Sequence, residues 1–256
     1  MVVADLHVHT TNSDGSLTLE TLPDAADAAG VSTVAVTDHD RLHPDLPTPV
    51  ATIEGLTVVH GIELRVATAG GQVDLLGYGA RRTPELTSMI ERLQTDRVER
   101  GATIIDRVEE RLEVELPIEA REGIGRPHIA EAIATASGYS YTEAFEELIG
   151  GDCPCYVPRD IPAFEAGVAA LRDACSIVAL AHPYRYDDPE SALECCSALD
   201  AVERFYPYDH NVDSRAVDRA IEHEDLLATG GSDAHEYRLG AAGLDADAHR
   251  AFRAAL

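Results

Sequence analysis

The chain has 256 residues, 45% of them hydrophobic, enough for one large domain, or one domain carrying an insertion, with a substantial core. No run approaches the length of a membrane span, and Val2 and Val3 already read as the start of a strand, so no transmembrane segment or signal peptide is expected and the expected location is the cytoplasm. Against 46 acidic residues stand only 20 basic ones, all of them arginine, for a formal net charge of -26, and such a surface repels duplex DNA at low salt.

The acids crowd helical stretches such as "RVEERLEVE" and "TEAFEELIG" rather than one tail, so they read as a solvated exterior. A lysine-free, strongly acidic chain points to a salt-loving host. At molar salt the Debye length falls to about 3 Å, so the charge does not by itself exclude a phosphorylated or nucleic-acid substrate.

In chain order the first element is the strand "VVADLHVH". Side chains alternate along an extended strand, so His7 and His9 project together while Leu6 and Val8 face the other way, a two-imidazole clamp suited to a metal. Alone, it could equally be a histidine pair on a surface strand. The loop "TTNSDG" follows, then the helix "LTLETLPDAADAAG", whose closing glycine suits a C-terminal cap.

Further strands are predicted at "STVAVTDHD", "LTVVHGIEL" and "GQVDLLGYG". From about residue 100 to 160 the rhythm breaks into helices, among them "TIIDRVEERL", "RPHIAEAIATASG" and "SYTEAFEELIG", which read as a helical insertion. The strand pattern resumes with "SIVALAHP", "LDAVERFYP" and "DLLATGGSDAH", with the helix "VDSRAVDRAIEHEDLL" before the last. This βα series predicts an α/β fold of parallel strands with right-handed crossovers, residues 1–99 and 161–256 forming a barrel and 100–160 a cap.

Strand after strand ends in a histidine or a carboxylate: His7 and His9, His39, Glu63, His182, Glu203, then Asp233 and His235. In an α/β barrel the C-terminal strand ends converge on one face, where active sites lie, so residues far apart in sequence are expected to meet there. The cysteines, Cys153, Cys155, Cys175, Cys195 and Cys196, are odd in number and have no C-x-x-C spacing, which predicts free thiols rather than disulfides or a zinc knuckle.

The motifs "DLHVHTTNSDG", "VTDHD", "HGIEL", "AHP" and "GGSDAH", in this order, resemble those of the polymerase and histidinol phosphatase (PHP) superfamily of metal-dependent phosphoesterases. The resemblance runs from residue 5 to about residue 240. The helical insertion and its "GRPHIA" are similar to the branch of nucleoside 3',5'-bisphosphate phosphatases and 5'-3' oligoribonucleases. The resemblance implies a distorted (β/α)7 TIM-like barrel holding three divalent cations, manganese, zinc or iron. It assigns His7, His9, Glu63 and Asp233 to one ion, Glu63, Asp74 and His182 to a second, and Asp14, His39 and His235 to a third. Related proteins usually carry a histidine where "VDLLGYG" has Asp74, a change that makes the second site harder and more negative and favours manganese or magnesium over zinc.

Mixed imidazole and carboxylate ligation independently suits zinc, manganese or iron(II). Several carboxylates also let cations sit about 3.5–4 Å apart, as hydrolysis by a metal-activated water requires. Asp14, His39, Glu63, His182, Asp233 and His235 are therefore the expected catalytic set. Asp5, Asp38 and Asp40, beside ligand histidines, are expected to accept hydrogen bonds from imidazoles. Arg126 and His128 flank a proline at a predicted helix start, where free N–H groups and the helix dipole favour a phosphate, and Arg185 follows a ligand closely enough to reach one. His43, His60, His210 and His223 read as structural or surface residues.

The leading expectation is a phosphoesterase acting on nucleoside 3',5'-bisphosphates or short oligoribonucleotides. A histidinol-phosphate or other small phosphomonoester phosphatase is the nearest alternative, and a metal-binding module without catalysis is the third.

Overall fold

The first strands are β1 (Ala4–Val8), which mixes Leu6 and Val8 with Asp5 and His7, and β2 (Thr33–Val36), built of small and β-branched residues; both are wholly buried in a computed structural model that describes residues 1–256. A short strand β3 (Val50–Ile53) precedes the long β4 (Leu56–Thr68) and β5 (Gly71–Tyr78), and β6 (Ile177–Leu180), β7 (Ala201–Phe205) and β8 (Leu227–Gly230) follow much later. Hydrogen bonding runs β1-β2-β4-β5-β6-β7-β8, with β3 attached to the outside of β4. The sheet curls: His9 N donates to Ala234 O at 2.9 Å and Ala234 N to His7 O at 3.2 Å, so residues just beyond β8 pair with β1.

The sheet is mixed, not parallel throughout as the βα rhythm predicted. β5 runs antiparallel to both β4 and β6. Thr68 of β4 is paired with Gly71 of β5, which leaves two residues to reverse the chain; a parallel crossover needs a dozen or more. Gly71 takes φ 135°, a conformation that side-chain-bearing residues avoid. Because β5 is reversed, Asp74 comes to the ligand-bearing end of the sheet from near the start of its strand.

The chain divides into two compact units, Met1–Met89 with Ile161–Leu256, and Ile90–Asp160. In the first, helix α1 (Leu22–Ala29) buries Leu22, Ala25 and Ala26 in a cluster with Val8, Val34, Val36 and Val58. Leu6, Ala35, Val59, Leu76, Tyr78, Ala179 and Phe252 form a second cluster, in which Tyr78 meets Phe252 edge to face.

Helix α2 (Pro84–Leu112) crosses the division, which falls ahead of residue 100, where the strand rhythm of the sequence breaks. In the second unit Ile104 and Val108 of α2 pack with Ile129 and Ile133 of α3 (Arg126–Ala136) and with Leu148 and Ile149. This core is apolar and separate in composition from the two clusters of the sheet. No helix is long and apolar enough to cross a membrane, and all five cysteines are free.

Candidate metal centre

Glu63, almost at the middle of β4, is the hub of the site. Its Oε1 lies 3.5 Å from His7 Nε2 and 3.0 Å from His182 Nε2, and its Oε2 lies 3.4 Å from His9 Nε2 and 2.7 Å from His39 Nδ1. Asp233 Oδ1 is 3.4 Å from His7 Nε2 and 3.1 Å from His9 Nε2. Asp14 Oδ1 is 3.4 Å from His235 Nε2 and 3.7 Å from His39 Nε2. His182 Nε2 is 3.7 Å from Asp74 Oδ2.

All nine residues expected to hold metal thus converge, in three groups: His7, His9, Glu63 and Asp233; Glu63, Asp74 and His182; and Asp14, His39 and His235 joined by His9. His9 therefore borders two groups, where the sequence resemblance assigned it to one. Its ring lies 4.3 Å from that of His235 and 4.4 Å from that of His39, centroid to centroid.

The groups fit divalent ions. Donors placed tetrahedrally around an ion at 2.0–2.2 Å are about 3.4 Å from one another, the spacing most of these atoms keep and longer than a good hydrogen bond. His7 Nε2, His9 Nε2 and Asp14 Oδ1 are buried and make no well-formed hydrogen bond, a costly arrangement for polar atoms unless something else satisfies them.

In the protein alone the groups neutralise one another. Burial opposes charge on His7, but the carboxylates of Glu203, Asp233 and Glu63 outweigh it and hold the imidazole well above its usual range. His9 shifts the other way, lowered by burial and then by the neighbouring His39. Glu63 and Asp233 stay far below the ordinary carboxylate range: burial works against this, but His39 and His7 dominate at Glu63, and His7 and His9 at Asp233. Anionic carboxylates and imidazoles packed this densely are a cation-binding arrangement.

Residues outside the nine fix their orientation. Glu203, fully buried on β7, places Oε1 3.1 Å from His7 Nδ1 and accepts the His182 backbone N–H on Oε2 at 2.7 Å, which directs His7 Nε2 toward the site. Tyr206 donates to Asp233 Oδ2 at 2.9 Å, and Arg185 reaches the same oxygen at 2.8 Å. Two of the nine sit in left-handed backbone, His182 at φ 27° and Asp233 at φ 50°, strain of about 1–3 kcal/mol each that concentrates at the site.

Asp5 and Asp38 do not have the expected role. Asp5 accepts from the N–H groups of Ser232 and Gly240 and from the Ser232 hydroxyl, tying the loop after β8 to β1. Asp38 accepts from Thr10 N, Thr10 Oγ1, Asn12 Nδ2 and Ser13 Oγ, bracing the loop that carries Asp14. Asp40 accepts from the Arg65 backbone N–H. A carboxylate beside a ligand histidine here organises loops, because buried loop N–H and O–H groups need acceptors.

Asp74 is 2% exposed and is gripped by Arg65, Nε to Oδ1 at 2.7 Å and Nη2 to Oδ2 at 2.6 Å. The extra negative charge expected of an aspartate in place of histidine is thus balanced by a guanidinium. In the helical unit, Arg126 opens α3 with its guanidinium carbon 5.7 Å from the ring centres of both Phe145 and Tyr156, and Gly125 N donates to His128 Nδ1 at 3.1 Å. One His128 nitrogen therefore serves as a helix cap. His43 and His60 are buried, while His210 and His223 are exposed.

Glu203, Tyr206 and Arg65 are the site residues that reading the sequence did not assign. Glu203 carried a signal, since it is an acid within a hydrophobic strand run, as Glu63 is. Arg65 carried none until the hairpin register placed it opposite Asp74.

The PHP domain pattern matches residues 5–143. The chain belongs to the PHP domain family. Over 256 aligned residues it is 30% identical to a phosphoribosyl 1,2-cyclic phosphate 1,2-diphosphodiesterase of Eggerthella lenta, covering 91% of this chain and 94% of that protein. The 5'-3' exoribonuclease Rnm of Escherichia coli is 26% identical, with 73% of this chain and 67% of that protein covered, and a 3',5'-nucleoside bisphosphate phosphatase of Chromobacterium violaceum is 26% identical, with 76% and 71% covered. Among solved structures, one described as a metal-dependent phosphoesterase, from Bifidobacterium adolescentis, superposes with a TM-score of 0.79 at 24% identity, over 99% of this chain and 96% of that one. This PHP protein is a metal-dependent phosphoesterase.

Proposed function

We propose that this PHP phosphoesterase acts on a phosphorylated ribose bearing a second phosphate that does not react, as in a nucleoside 3',5'-bisphosphate or the 5' end of a short oligoribonucleotide. The observation that carries this reading is the convergence of nine histidine, aspartate and glutamate side chains into one largely buried centre, in a chain similar to a 5'-3' exoribonuclease and to a 3',5'-nucleoside bisphosphate phosphatase. Arg100 is pulled down to about 10, first by burial and then by repulsion from Arg126, Arg159 and Arg97. All four arginines belong to the helical unit, where Arg97 and Arg100 donate to the backbone carbonyls of Ile124 and Val157 at 3.1 and 2.7 Å, and Arg126 is the one we assign to a substrate phosphate. Arg126 at the start of α3 adds the free N–H groups of a helix N-terminus.

We read the curled sheet as the distorted (β/α)7 TIM-like barrel of the family, with one divalent ion for each of the three ligand groups. Imidazole and carboxylate together suit manganese, iron or zinc. Such ions, when bound, bring a water's pKa near neutrality and offset charge on phosphoryl oxygens. The chain's own residues do the positioning: Glu203 holds His7, Tyr206 and Arg185 hold Asp233, and Asp38 braces the loop of Asp14. Arg185, its side chain half exposed beside Asp233, is placed to donate to a substrate phosphate oxygen from its remaining N–H groups.

A second reading, a five-membered cyclic phosphate on a phosphorylated ribose, is favoured by the near full-length likeness to the Eggerthella lenta protein. Both readings share a sugar with one reacting and one anchoring phosphate. The test is a substrate panel with added manganese in concentrated potassium chloride: a nucleoside 3',5'-bisphosphate, a short oligoribonucleotide, phosphoribosyl 1,2-cyclic phosphate, histidinol phosphate and a chromogenic monoester. Binding energy at a remote phosphate is used to orient the reacting centre. Arg126→Ala should therefore lower kcat/KM for the doubly phosphorylated substrates at least tenfold more than for the chromogenic ester. Equal losses would refute the anchoring role, and metal binding without turnover of any ester would favour the module without catalysis.

A further inference from the structure

Of the side chains facing the three ligand groups, only Asp74 has both carboxylate oxygens occupied by a fixed cation. Arg65 and Asp74 are direct cross-strand partners on β4 and β5, and the guanidinium meets the carboxylate in a two-bond fork at 2.7 and 2.6 Å. Elsewhere the buried ligand atoms His7 Nε2, His9 Nε2 and Asp14 Oδ1 make no such bond. A carboxylate has about four lone-pair positions, and an end-on arginine fork uses the two that face forward. The Oδ2 atom that approaches His182 is the same atom held by Arg65 Nη2. An ion taken up here would bind through an oxygen already polarised by the arginine.

Charge repulsion acts in the same direction. With Oδ2 2.6 Å from Nη2 and an ion about 2.1 Å from Oδ2, ion and guanidinium nitrogen can be at most about 4.7 Å apart. The ion's side of this pair is buried, Asp74 being 2% and His182 4% exposed, while the Arg65 side chain is 34% exposed, so water screens the repulsion only in part. Arginine stays protonated at any working pH, so the opposing charge is permanent.

We propose that Arg65 is a resident cation that makes the Glu63–Asp74–His182 group the weakest of the three metal sites. Its ion exchanges with the medium while the other two groups retain theirs. This rests on reading the cluster as a metal centre. Arg65 acts through Asp74 and sets occupancy, so the measurement is metal binding and not turnover.

Metal-stripped wild type, Arg65→Gln, Arg65→Lys and Asp74→Asn proteins would be dialysed against manganese buffered over a wide range of free concentration, and bound metal counted by mass spectrometry. Wild type is expected to show two tight steps and one weak step. Arg65→Gln should tighten the weak step at least tenfold and leave the tight steps, which also report correct folding, unchanged. Arg65→Lys, which keeps the charge, should stay within about threefold of wild type, and Asp74→Asn should abolish the weak step. An unchanged or lost weak step in Arg65→Gln would overturn the proposal, as would equal tightening in Arg65→Lys. Failure of wild type to bind any manganese would overturn the metal-centre reading itself.

Discussion

Replacing Glu203 by glutamine tests whether the centre is built from the outside inward. The carboxylate accepts on both oxygens, from the His182 N–H at 2.7 Å and at His7 Nδ1, 3.1 Å away, and it is fully buried. An amide of the same shape offers one acceptor and one donor. If its oxygen keeps His182 N–H, its NH2 group faces His7 Nδ1, which must then accept, and the ring proton moves to Nε2, where it blocks the metal-facing atom. If its oxygen keeps His7, two N–H groups confront each other beside His182 without water. Leaving one buried partner unsatisfied costs about 1–3 kcal/mol. For a chain of this length 1 kcal/mol corresponds to roughly 2–4 °C in Tm, so the metal-free variant should melt about 2–12 °C below wild type. Loss of such an orienting partner also typically weakens metal binding about 10–100-fold. Calorimetry of the stripped proteins and manganese dialysis give the two readouts. Wild-type melting together with wild-type manganese affinity would refute the orienting role of Glu203.

Gly231→Ala should disable the centre with little change in secondary structure. A Cβ at this position would lie 2.3 Å from His7 N and 2.4 Å from His7 Cβ, so β1 and its first ligand must shift, and manganese affinity and kcat should each fall at least tenfold, with circular dichroism as the control. Full activity would show that the two strands can separate without moving His7. Acid stability should depend on His60, whose buried ring is lowered to about 4 by burial and then by Arg82 and His43. The unfolded chain binds that proton near pH 6.5, so stability is complete above about pH 6.5, falls as pH drops toward 4 and then levels, a loss of about 3 kcal/mol at most. Urea unfolding of His60→Leu should show a shallower fall across this window, and an identical slope would exclude His60 as its source.

The residues that converge were legible in the sequence because each lies in or just after a short hydrophobic run, and an α/β barrel brings the C-terminal ends of its strands together on one face. His7, His9, His39, Glu63, His182, Asp233 and His235 follow from that local pattern, and Asp14 and Asp74 from motif resemblance. The alternation of strands and helices likewise marked seven strand segments and the helical stretch between residues 100 and 160. These are short-range properties, recorded in neighbouring residues.

Pairing was not legible. Whether two adjacent strands run parallel depends on how the chain between them closes, and the two-residue turn after Thr68 reversed β5 against the prevailing βα rhythm. That reversal brought Asp74 to the centre and put Arg65 opposite it. Glu203 could be seen to fall in a hydrophobic strand run, but not that one carboxylate would serve both His7 and His182, 175 residues apart. Asp5 and Asp38 had the same local signature as ligand partners yet hold loop backbone instead. The sequence by itself determined which residues could bind metal, because that depends on side-chain chemistry and strand period. Only the tertiary structure decided which of them gather in one group, which hold the others in place, and which lie against a fixed charge, because those roles depend on contacts between segments whose spacing along the chain carries no trace of their distance in space.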